Sequence, residues 1–419
     1  MKPSRQRSLA KTLCIGGALV SAMPLAFAED ASRLEKLEQE NGDLKKRLES
    51  LEALASKEGL LPSGKPAPKF VSALSSINIS GFVQASYFYN SNDPADHKSD
   101  GYLWNTSHNS FSINKVKLTL ASAPVEASGD TWSAGFKTSL IWGEDSPVLN
   151  TGSPTAGFEA LREAYVELNA PIGTGLDIKA GQLISLLNWE SGDGGAANPN
   201  FSQGYQWFFT GNGPSAGVQL GYSFTDWLDL KVRLQNGMYA GPVDGNNGKT
   251  VIASLGLKPA KGLWMNFIGW DGAESITTTV KGASTIGGYD FTEKFHTGYE
   301  FDYFVFDPNS APAQTLWSIG GWAWYDFTPK HGIAIRGEYL DDKDGAGLKG
   351  IPFRGQAASA ITSPDAAGKI ESIAVTFNWK PTSNLKVQPE VRFDHTSYTG
   401  GFDGKRDRVI FGAGATYMF

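Results

Sequence analysis

The sequence predicts an all-β transmembrane barrel of about 16 antiparallel strands, preceded by a short N-terminal coiled-coil helix. Three observations predict the barrel. Apolar and polar residues alternate over segments of about ten residues, short and long connections alternate between those segments, and the chain ends on the aromatic Phe419. In a barrel wall, alternate residues face lipid and lumen, so the average hydropathy stays mildly polar although the wall crosses a membrane.

The first residues have the pattern of an export signal. Lys2 and Arg5 lead into an apolar run over residues 12–25, and Ala26-Phe27-Ala28 offers a small-residue cleavage site. The apolar run is shorter than the roughly 20 residues that a membrane-spanning helix needs. We therefore expect residues 1–28 to be a signal peptide that is removed on export.

The single cysteine of the chain, Cys14, lies inside this expected signal peptide. The exported chain would then carry no thiol, and hence no disulfide, no c-type haem attachment and no thiolate metal site. We expect neither a metal site nor a cofactor. The formal net charge of −6 over 419 residues is small and argues against a nucleic-acid partner.

Residues 29–56 carry a heptad pattern, which predicts a periplasmic coiled coil and thus a homo-oligomer. The alternative is a solvated helix that lies on its own barrel. Residues 57–74, rich in proline and glycine, form the expected linker, and residues 75–419 form the expected barrel. The positions expected at the helix interface are Leu34, Leu37, Asn41, Leu44, Leu48 and Leu51.

Fifteen segments show the two-residue alternation of strands, most clearly residues 216–224 and 228–235, which a three-residue turn joins. Segments near ten residues are longer than most strands of soluble proteins and suit a tilted strand that crosses a bilayer. The predicted strands are residues 77–89, 111–122, 131–142, 161–170, 175–186, 215–224, 228–237, 249–257, 262–271, 291–306, 316–327, 332–341, 370–380, 384–396 and 407–419.

The direction of the chain requires one more strand. With the N-terminus on the periplasmic side, counting forward sends the strand at 262–271 outward. Counting back from Phe419 sends the strand at 291–306 outward as well. Two successive antiparallel strands cannot run the same way, so we predict a further strand over Ile276 to Ser284. Sixteen strands enclose a lumen wide enough for an aqueous channel.

The last predicted strand places Phe411, Ala413, Tyr417 and Phe419 on one face and ends there. An aromatic C-terminal residue within such a pattern resembles the signal that the outer-membrane assembly machinery recognises. We expect Tyr417 and Phe419 to carry this signal.

Several stretches, taken in their order and spacing, resemble the β-barrel porin family with OmpL-like barrels. The coil-plus-barrel layout is also similar to that of trimeric DcaP-like porins. The resemblance implies a bacterial outer-membrane channel of undefined substrate, with a trimer as the favoured oligomer and outer-membrane lipids around it. The stretches are Leu161 to Leu168, Ala180 to Gln182, Asn188 to Ser191, Asn198 to Ser202, Gln235 to Gly237, Arg336 to Tyr339 and Pro389 to Asp394.

Charged residues of both signs occupy the polar faces of the predicted strands and nearly balance. A solvated wall with cross-strand ion pairs explains most of them. Arg336 with Glu338, and Arg392 with Glu390, share a face two residues apart and are candidates for a constriction. We hypothesise that Ser in place of Arg336 and Arg392 shifts selectivity toward cations. Further lumen candidates are Lys231, Arg233, Glu190, Asp193 and Trp207.

The long segment from Leu187 to Pro214 follows the fifth predicted strand and is expected to fold into the lumen. Its aromatic residues could stack on sugar rings, or pack the loop against the inner wall. The predicted function is passive diffusion of small polar solutes or ions. A structural or adhesive barrel is the alternative, and an outer-membrane hydrolase a weaker one, because the five histidines accompany no catalytic motif. We therefore expect no enzyme activity.

Overall fold

The computed structural model describes residues 42, 45–47 and 50, and residues 77–419 apart from 102–103, 126–129, 151–158, 239, 276–277, 346–360 and 362. The chain divides into two compact units, Met1–Ser76 and Ile77–Phe419. In the first unit the described positions are helical. The expected signal peptide, the linker and the rest of the expected coiled coil lie outside the described residues.

Within the described part of the second unit the chain forms sixteen strands, two short helices and one 3-10 turn. The helices are α1, Ser146–Leu149, and α2, Tyr205–Phe209, and the 3-10 turn is Gly194–Ala196. The strands are β1 Ile77–Asn90, β2 Ser110–Ser122, β3 Ser133–Trp142, β4 Leu161–Ala170, β5 Leu176–Leu183, β6 Ser215–Thr225, β7 Leu228–Gln235, β8 Thr250–Ala260, β9 Leu263–Ser275, β10 Thr278–Asp290, β11 Phe295–Pro308, β12 Gln314–Thr328, β13 His331–Asp342, β14 Gly368–Trp379, β15 Leu385–Thr396 and β16 Asp407–Met418.

The sheet closes on itself. Each strand pairs antiparallel with the next along the chain, and β16 pairs back onto β1. Gly81 and Phe419 exchange two backbone hydrogen bonds of 3.0 Å each, so the last residue of the chain takes part in the closure. The predicted fold class, an antiparallel barrel of sixteen strands, is confirmed for the barrel.

The strand that chain direction required is present as β10, Thr278–Asp290. The predicted window ended at Ser284, and the strand continues beyond it through Gly287 and Gly288. In the structure these glycines continue the ladder, since backbone hydrogen bonds need no side chain. A Cβ at Gly288 would lie 2.9 Å from the Trp264 indole nitrogen, so glycine makes room for a neighbouring ring.

The two faces of the wall differ in chemistry. On β14, Ile373, Val375 and Phe377 face outward and are exposed, whereas Ser372 and Thr376 face inward and are buried. The same alternation continues around the barrel. A bilayer would cover the outward apolar residues, and the inward polar residues line the lumen.

Aromatic side chains mark the outer ends of eight of the sixteen strands on the lipid side, and they are missing there from β4 to β10 and from β14. Strands β4 to β8, which we call the β4–β8 face, carry Leu161, Ala216, Leu234 and Val251 there. Their outward positions carry no charged residue, and the strands are 8–11 residues long, against 12–15 for β9 to β13. The aromatic residues at the other outer ends are Tyr87, Phe111, Trp142, Tyr303, Trp317, Tyr339, Phe393 and Phe411.

The connections indicate the orientation of the barrel. Long loops such as 91–109, 143–160 and 184–214 all lie at one end, and turns as short as 226–227 and 329–330 lie at the other. Short periplasmic turns and long outer loops are the rule for outer-membrane barrels, so the long-loop end is the outer end. No helix among the described residues is long and apolar enough to cross a membrane.

Candidate functional site

The loop between β5 and β6, residues 184–214, turns into the barrel lumen. All five residues of helix α2 are buried. Trp207, Phe208 and Phe209 belong to one apolar cluster with inward residues of the wall, among them Ile268 and Phe304. Burying these rings inside the barrel removes apolar surface from water, which explains why the loop folds inward. The expectation that this segment enters the lumen is confirmed.

A carboxylate of the wall holds the start of helix α2. Glu338 on β13 accepts hydrogen bonds from the backbone N–H groups of Tyr205, at 3.2 Å, and Gln206, at 3.0 Å. The residue before the helix, Gly204, has no side chain that could do this. The first N–H groups of a helix have no partner within it and carry partial positive charge, so a buried carboxylate there is favourable.

Two more carboxylates bind the loop backbone in the same way. Glu390 on β15 accepts from the N–H of Phe201 at 2.9 Å, the N–H of Ser202 at 3.3 Å and the Ser202 hydroxyl. Glu300 on β11 accepts from the N–H of Trp189 at 2.7 Å. The inward faces of β11 to β15, which we call the anchored wall, therefore hold the loop by hydrogen bonds between Trp189 and Gln206.

Arg336 lies at the centre of these anchors and is fully buried. Its guanidinium is 3.0 Å from Glu190 of the loop and 3.1 Å from Glu338. It also donates to the backbone carbonyl of Ser202 at 2.5 Å. Two predicted constriction residues, Arg336 and Glu338, thus meet the predicted lumen residue Glu190, and the three join loop to wall.

A second buried group surrounds the Tyr205 hydroxyl. This hydroxyl donates to Asp394 at 2.8 Å and accepts from Arg408 at 2.5 Å. Asp394 also forms ion pairs with Arg392, at 3.0 Å, and Arg408, at 2.9 Å. Arg392 was predicted from sequence as a constriction residue, and the structure places it against the loop helix.

The charged side chains on the opposite side of the lumen are more exposed. The inward faces of β3 to β7 form what we call the open wall, where Lys137, Lys179 and Lys231 are 35%, 24% and 39% exposed. Arg336 on the anchored wall is 0% exposed. The predicted residue Lys231 lies 3.3 Å from Asp229 on this open wall.

Arg233, also on β7, is buried near the outer end of the open wall. It donates to the side-chain oxygen of Gln219 at 2.7 Å and to the backbone carbonyl of Ile184 at 2.7 Å. Ile184 is the first residue of the inward loop. Arg233 therefore fixes the point where the loop leaves β5.

One ion pair joins the loop to the open side of the lumen. The Lys117 ammonium on β2 lies 2.8 Å and 2.9 Å from the two carboxylate oxygens of Asp193. The two side chains are partly exposed, unlike those of the Arg336 group. Asp193, a predicted lumen residue, thus joins the loop to the more exposed side of the lumen.

A cavity of about 360 Å³ separates the loop from the wall at this level, and we call it the eyelet. Its charged residues balance, with three cations facing three carboxylates. The residues that line it are Lys117, Lys137, Arg162, Glu163, Ile184, Ser185, Asn188, Trp189, Glu190, Ser191, Gly192, Asp193 and Trp207.

The two tryptophan side chains of the eyelet pack against other tryptophans of the protein. Trp189 stacks on Trp322 with ring centres 4.5 Å apart, and Trp207 packs edge-on against Trp104 at 4.6 Å. The Arg162 guanidinium lies over the Trp207 ring at 5.8 Å. These contacts favour the packing interpretation of the loop aromatics over sugar stacking.

Outer loops cover the buried helix. Trp104 of loop 91–109 is 1% exposed and lies on α2. That loop is held by Glu144, whose carboxylate accepts from Thr106, at 2.9 Å, and from both the N–H and the hydroxyl of Ser107, at 2.8 Å. Burial would raise the pKa of Glu144, but hydrogen bonds from Ser112, Ser107 and Thr106 lower it below its ordinary value of 4.5.

Sequence reasoning missed two residues of this arrangement. Arg408 falls on the inward face of β16, in phase with Ile410, and the alternation of that strand could have revealed it. Trp104 gave no such signal, because it lies in an irregular loop and its contact with Trp207 joins segments 103 residues apart. Among the described residues, no group of three or more His, Cys, Asp or Glu side chains could hold a metal ion.

A comparison with protein families matches residues 76–419 to the family described as "Putative beta-barrel porin-2, OmpL-like". A comparison with curated proteins found no match.

Solved structures with the same fold include three outer-membrane proteins. The anion-selective porin from Comamonas acidovorans is 12% identical, with 82% of this chain and 99% of that chain covered and a TM-score of 0.53. The outer membrane channel DcaP of Acinetobacter baumannii is 16% identical, with 82% and 97% covered and a TM-score of 0.51. OmpT of Vibrio cholerae, in its trimer form, is 10% identical, with 82% and 99% covered and a TM-score of 0.50.

Proposed function

This chain belongs to the OmpL-like beta-barrel porin-2 family and is an outer-membrane porin, and we propose that small polar solutes diffuse passively through it along the open wall. The path would enter at the outer end, pass the eyelet and leave along β3 to β7. The anchored wall and the inward loop would fill the rest of the lumen and do no transport. The channel would need no energy input and no enzyme activity.

The difference in exposure between the two walls supports this path. Carboxylates and guanidiniums of the anchored wall bond directly to the loop backbone, to Glu190 of the loop and to each other. The lysines of the open wall keep a quarter to more than a third of their side chains exposed. Solutes cross where charged side chains are hydrated, because rings of such groups replace part of the water around the solute.

The predicted constriction residues take a more specific role in this proposal. Arg336, Glu338, Arg392 and Glu390 would set the shape of the pore by holding the loop. Asp193, with Lys117, would set its charge, because this pair faces the eyelet and is partly exposed.

Single-channel recording in planar bilayers tests the path. Gly192 lines the eyelet, and a Cβ there would lie 2.6 Å from the Arg162 guanidinium. We expect Gly192→Leu to reduce conductance roughly twofold by narrowing the eyelet. The matched control is Gly245→Leu in the loop between β7 and β8, where a Cβ would meet nothing within 4 Å.

Equal conductance of the two leucine variants would place the path elsewhere in the lumen. No conductance from folded, unmodified protein would overturn the channel and favour a structural or adhesive barrel. Migration that changes with heating on a denaturing gel verifies that each variant has folded.

The protein is further proposed to work as a homo-oligomer, with a trimer favoured, in which the β4–β8 face packs against neighbouring copies. Aromatic belts mark the level of the lipid head groups, and this face lacks one at its outer end. The face takes up five of the sixteen strands, close to the third of the circumference that a subunit turns toward a three-fold axis. The expected periplasmic coiled coil, with Leu34 to Leu51 at its interface, would add a second contact between the subunits of the same assembly.

A further inference from the structure

The open wall and the eyelet carry their lysines in ion pairs. Lys117 lies 2.8 Å from Asp193, and Lys137 lies 2.8 Å from Glu163. Further round the wall, Lys179 lies 3.1 Å from Glu167. The fourth pair is Lys231 with Asp229, at 3.3 Å. We call these four pairs the ion-pair track.

The register of the strands makes the track continuous. Lys179 is paired across the ladder with Glu167, and Asp177 lies two residues before Lys179 on the same face. Asp177 and Lys231 both pair with Gly221, one from each side, so β5, β6 and β7 share one row. A solute that moves along the open wall would therefore meet neighbouring pairs.

Inward glycines lie beside the track. Gly135 on β3, Gly221 on β6 and Gly256 on β8 stand between or beside the pairs and bring no side chain into the lumen. The anchored wall shows the reverse pattern, since Arg336 and Glu390 are covered by the loop. Of the eight side chains in the track, all but Glu163 keep part of their surface exposed to the lumen.

Paired charges act differently on different solutes. At a distance, the two members of a pair cancel, so a singly charged ion gains little from either. A molecule with an ammonium and a carboxylate a few ångströms apart can lie across a pair, with each of its charges on the opposite one. Exposed ion pairs in water are weak, so a lysine or carboxylate loses little free energy when it exchanges its partner for a charge of the solute. A series of weak binding sites lets a solute move on through the pore and does not hold it in place.

We infer that the pore favours zwitterions, such as amino acids and short peptides, over uncharged solutes of the same size. The inference rests on the proposed diffusion along the open wall. It assigns the exposed lysine–carboxylate pairs to the recognition of solutes that carry both signs. An uncharged sugar would find no free aromatic face at the eyelet, because Trp189 and Trp207 are covered by Trp322 and Trp104.

Liposome swelling with glycylglycine and with arabinose, two solutes of similar size, tests the inference. For the unmodified protein we expect glycylglycine to enter roughly threefold faster, the size of effect that one exposed ion pair can produce. The test variant removes two pairs without changing net charge, by Lys179→Met with Glu167→Gln and Lys231→Met with Asp229→Asn. In it the preference for glycylglycine should become smaller, because only two of the four pairs remain, and the arabinose rate should stay unchanged.

A matched control removes an ion pair outside the lumen. Lys281 and Asp307 on the outward face are also 3.3 Å apart, and Lys281→Met with Asp307→Asn should leave the threefold preference intact. Equal rates in the unmodified protein, or a preference that is undiminished in the test variant, would overturn the inference. Failure of both solutes to enter would instead overturn the proposed channel, so the two failures are distinguishable.

Discussion

At the scale of single residues, burial separates the charges that hold the loop from those that a solute can meet. Arg336 and Glu190 form an ion pair that is almost completely buried, whereas Lys117 and Asp193 are partly exposed and line the eyelet. Both pairs join loop to wall and have similar lengths. Their surroundings give them different consequences when one partner is lost.

Loss of one partner at the eyelet should leave an uncompensated charge facing the solute path. We expect Asp193→Asn, which frees Lys117, to shift the reversal potential in a salt gradient toward anion selectivity, by roughly a twofold change in permeability ratio. Lys117→Met should shift it toward cations. The double variant should return close to the unmodified value, and shifts of the same sign from both single variants would contradict this assignment.

Loss of one partner in the buried group should act on stability. Arg336→Met leaves Glu190 and Glu338 buried without their cation, which typically costs about 3–5 kcal/mol. We expect a lower thermal transition and faster cleavage of the loop by added protease. Glu190→Gln in the same background should recover part of the loss, and an unchanged transition in Arg336→Met would show that the loop does not depend on this anchor.

At the scale of elements, the outer loops depend on one another. Loop 91–109 is tied to the end of β3 through Glu144, whose hydrogen bonds keep its pKa below 4.5. A carboxyl with a lowered pKa stabilises the fold above its ordinary pKa, and this contribution is lost as the pH falls through the lowered value. The tie should therefore hold at neutral pH and weaken in acid.

Hydrogen exchange of the Trp104 to Ser107 segment measures this tie. At pH 7, Glu144→Gln should exchange faster than the unmodified protein once intrinsic rates are corrected. As the pH falls through the lowered pKa of Glu144 the difference should shrink, because the unmodified carboxyl becomes protonated as well. A difference that stays constant with pH would mean that the charge of Glu144 contributes nothing to the loop.

The strands of this barrel were predictable, and the contacts of the loop were not. Alternation marks a strand locally, and antiparallel direction alone required β10, which the structure contains. The partners of Glu338 and Glu390 are backbone groups of Tyr205 and Phe201, more than 130 residues away along the chain. No periodicity records such a contact. The charged residues that face the lumen could thus be predicted from the sequence. The sequence could not distinguish those that hold the loop from those that line the proposed solute path.

At the scale of the whole molecule, the barrel wall is uneven. The β4–β8 face has short strands, and its outer end is aliphatic and free of charge, whereas the outer ends of the remaining strands carry aromatic or charged residues. A solitary barrel in lipid would have no reason for this difference, since head groups would surround it evenly. The unevenness is what an assembly of copies would produce.

A photo-cross-linking amino acid at Val232 tests the assembly. Val232 lies on the β4–β8 face and Val375 lies on β14, and both valines face outward with nearly equal exposure, 39% and 38%. We expect illumination in native membranes to give covalent oligomers of the chain from position 232 and none from position 375. Equal oligomer yields from both positions would exclude the β4–β8 face as the contact.

The pairing of β1 with β16 has a consequence for how the chain acquires its shape. Gln84 bonds Thr416 across 332 residues, and Phe419 itself bonds Gly81. The seam therefore cannot form until β16 has been synthesised and exported. Until then both terminal strands remain unpaired edges, which are prone to mispair with other chains. Contacts so distant in sequence also form slowly, so the pairing of β1 with β16 should be the slow step in the maturation of this barrel.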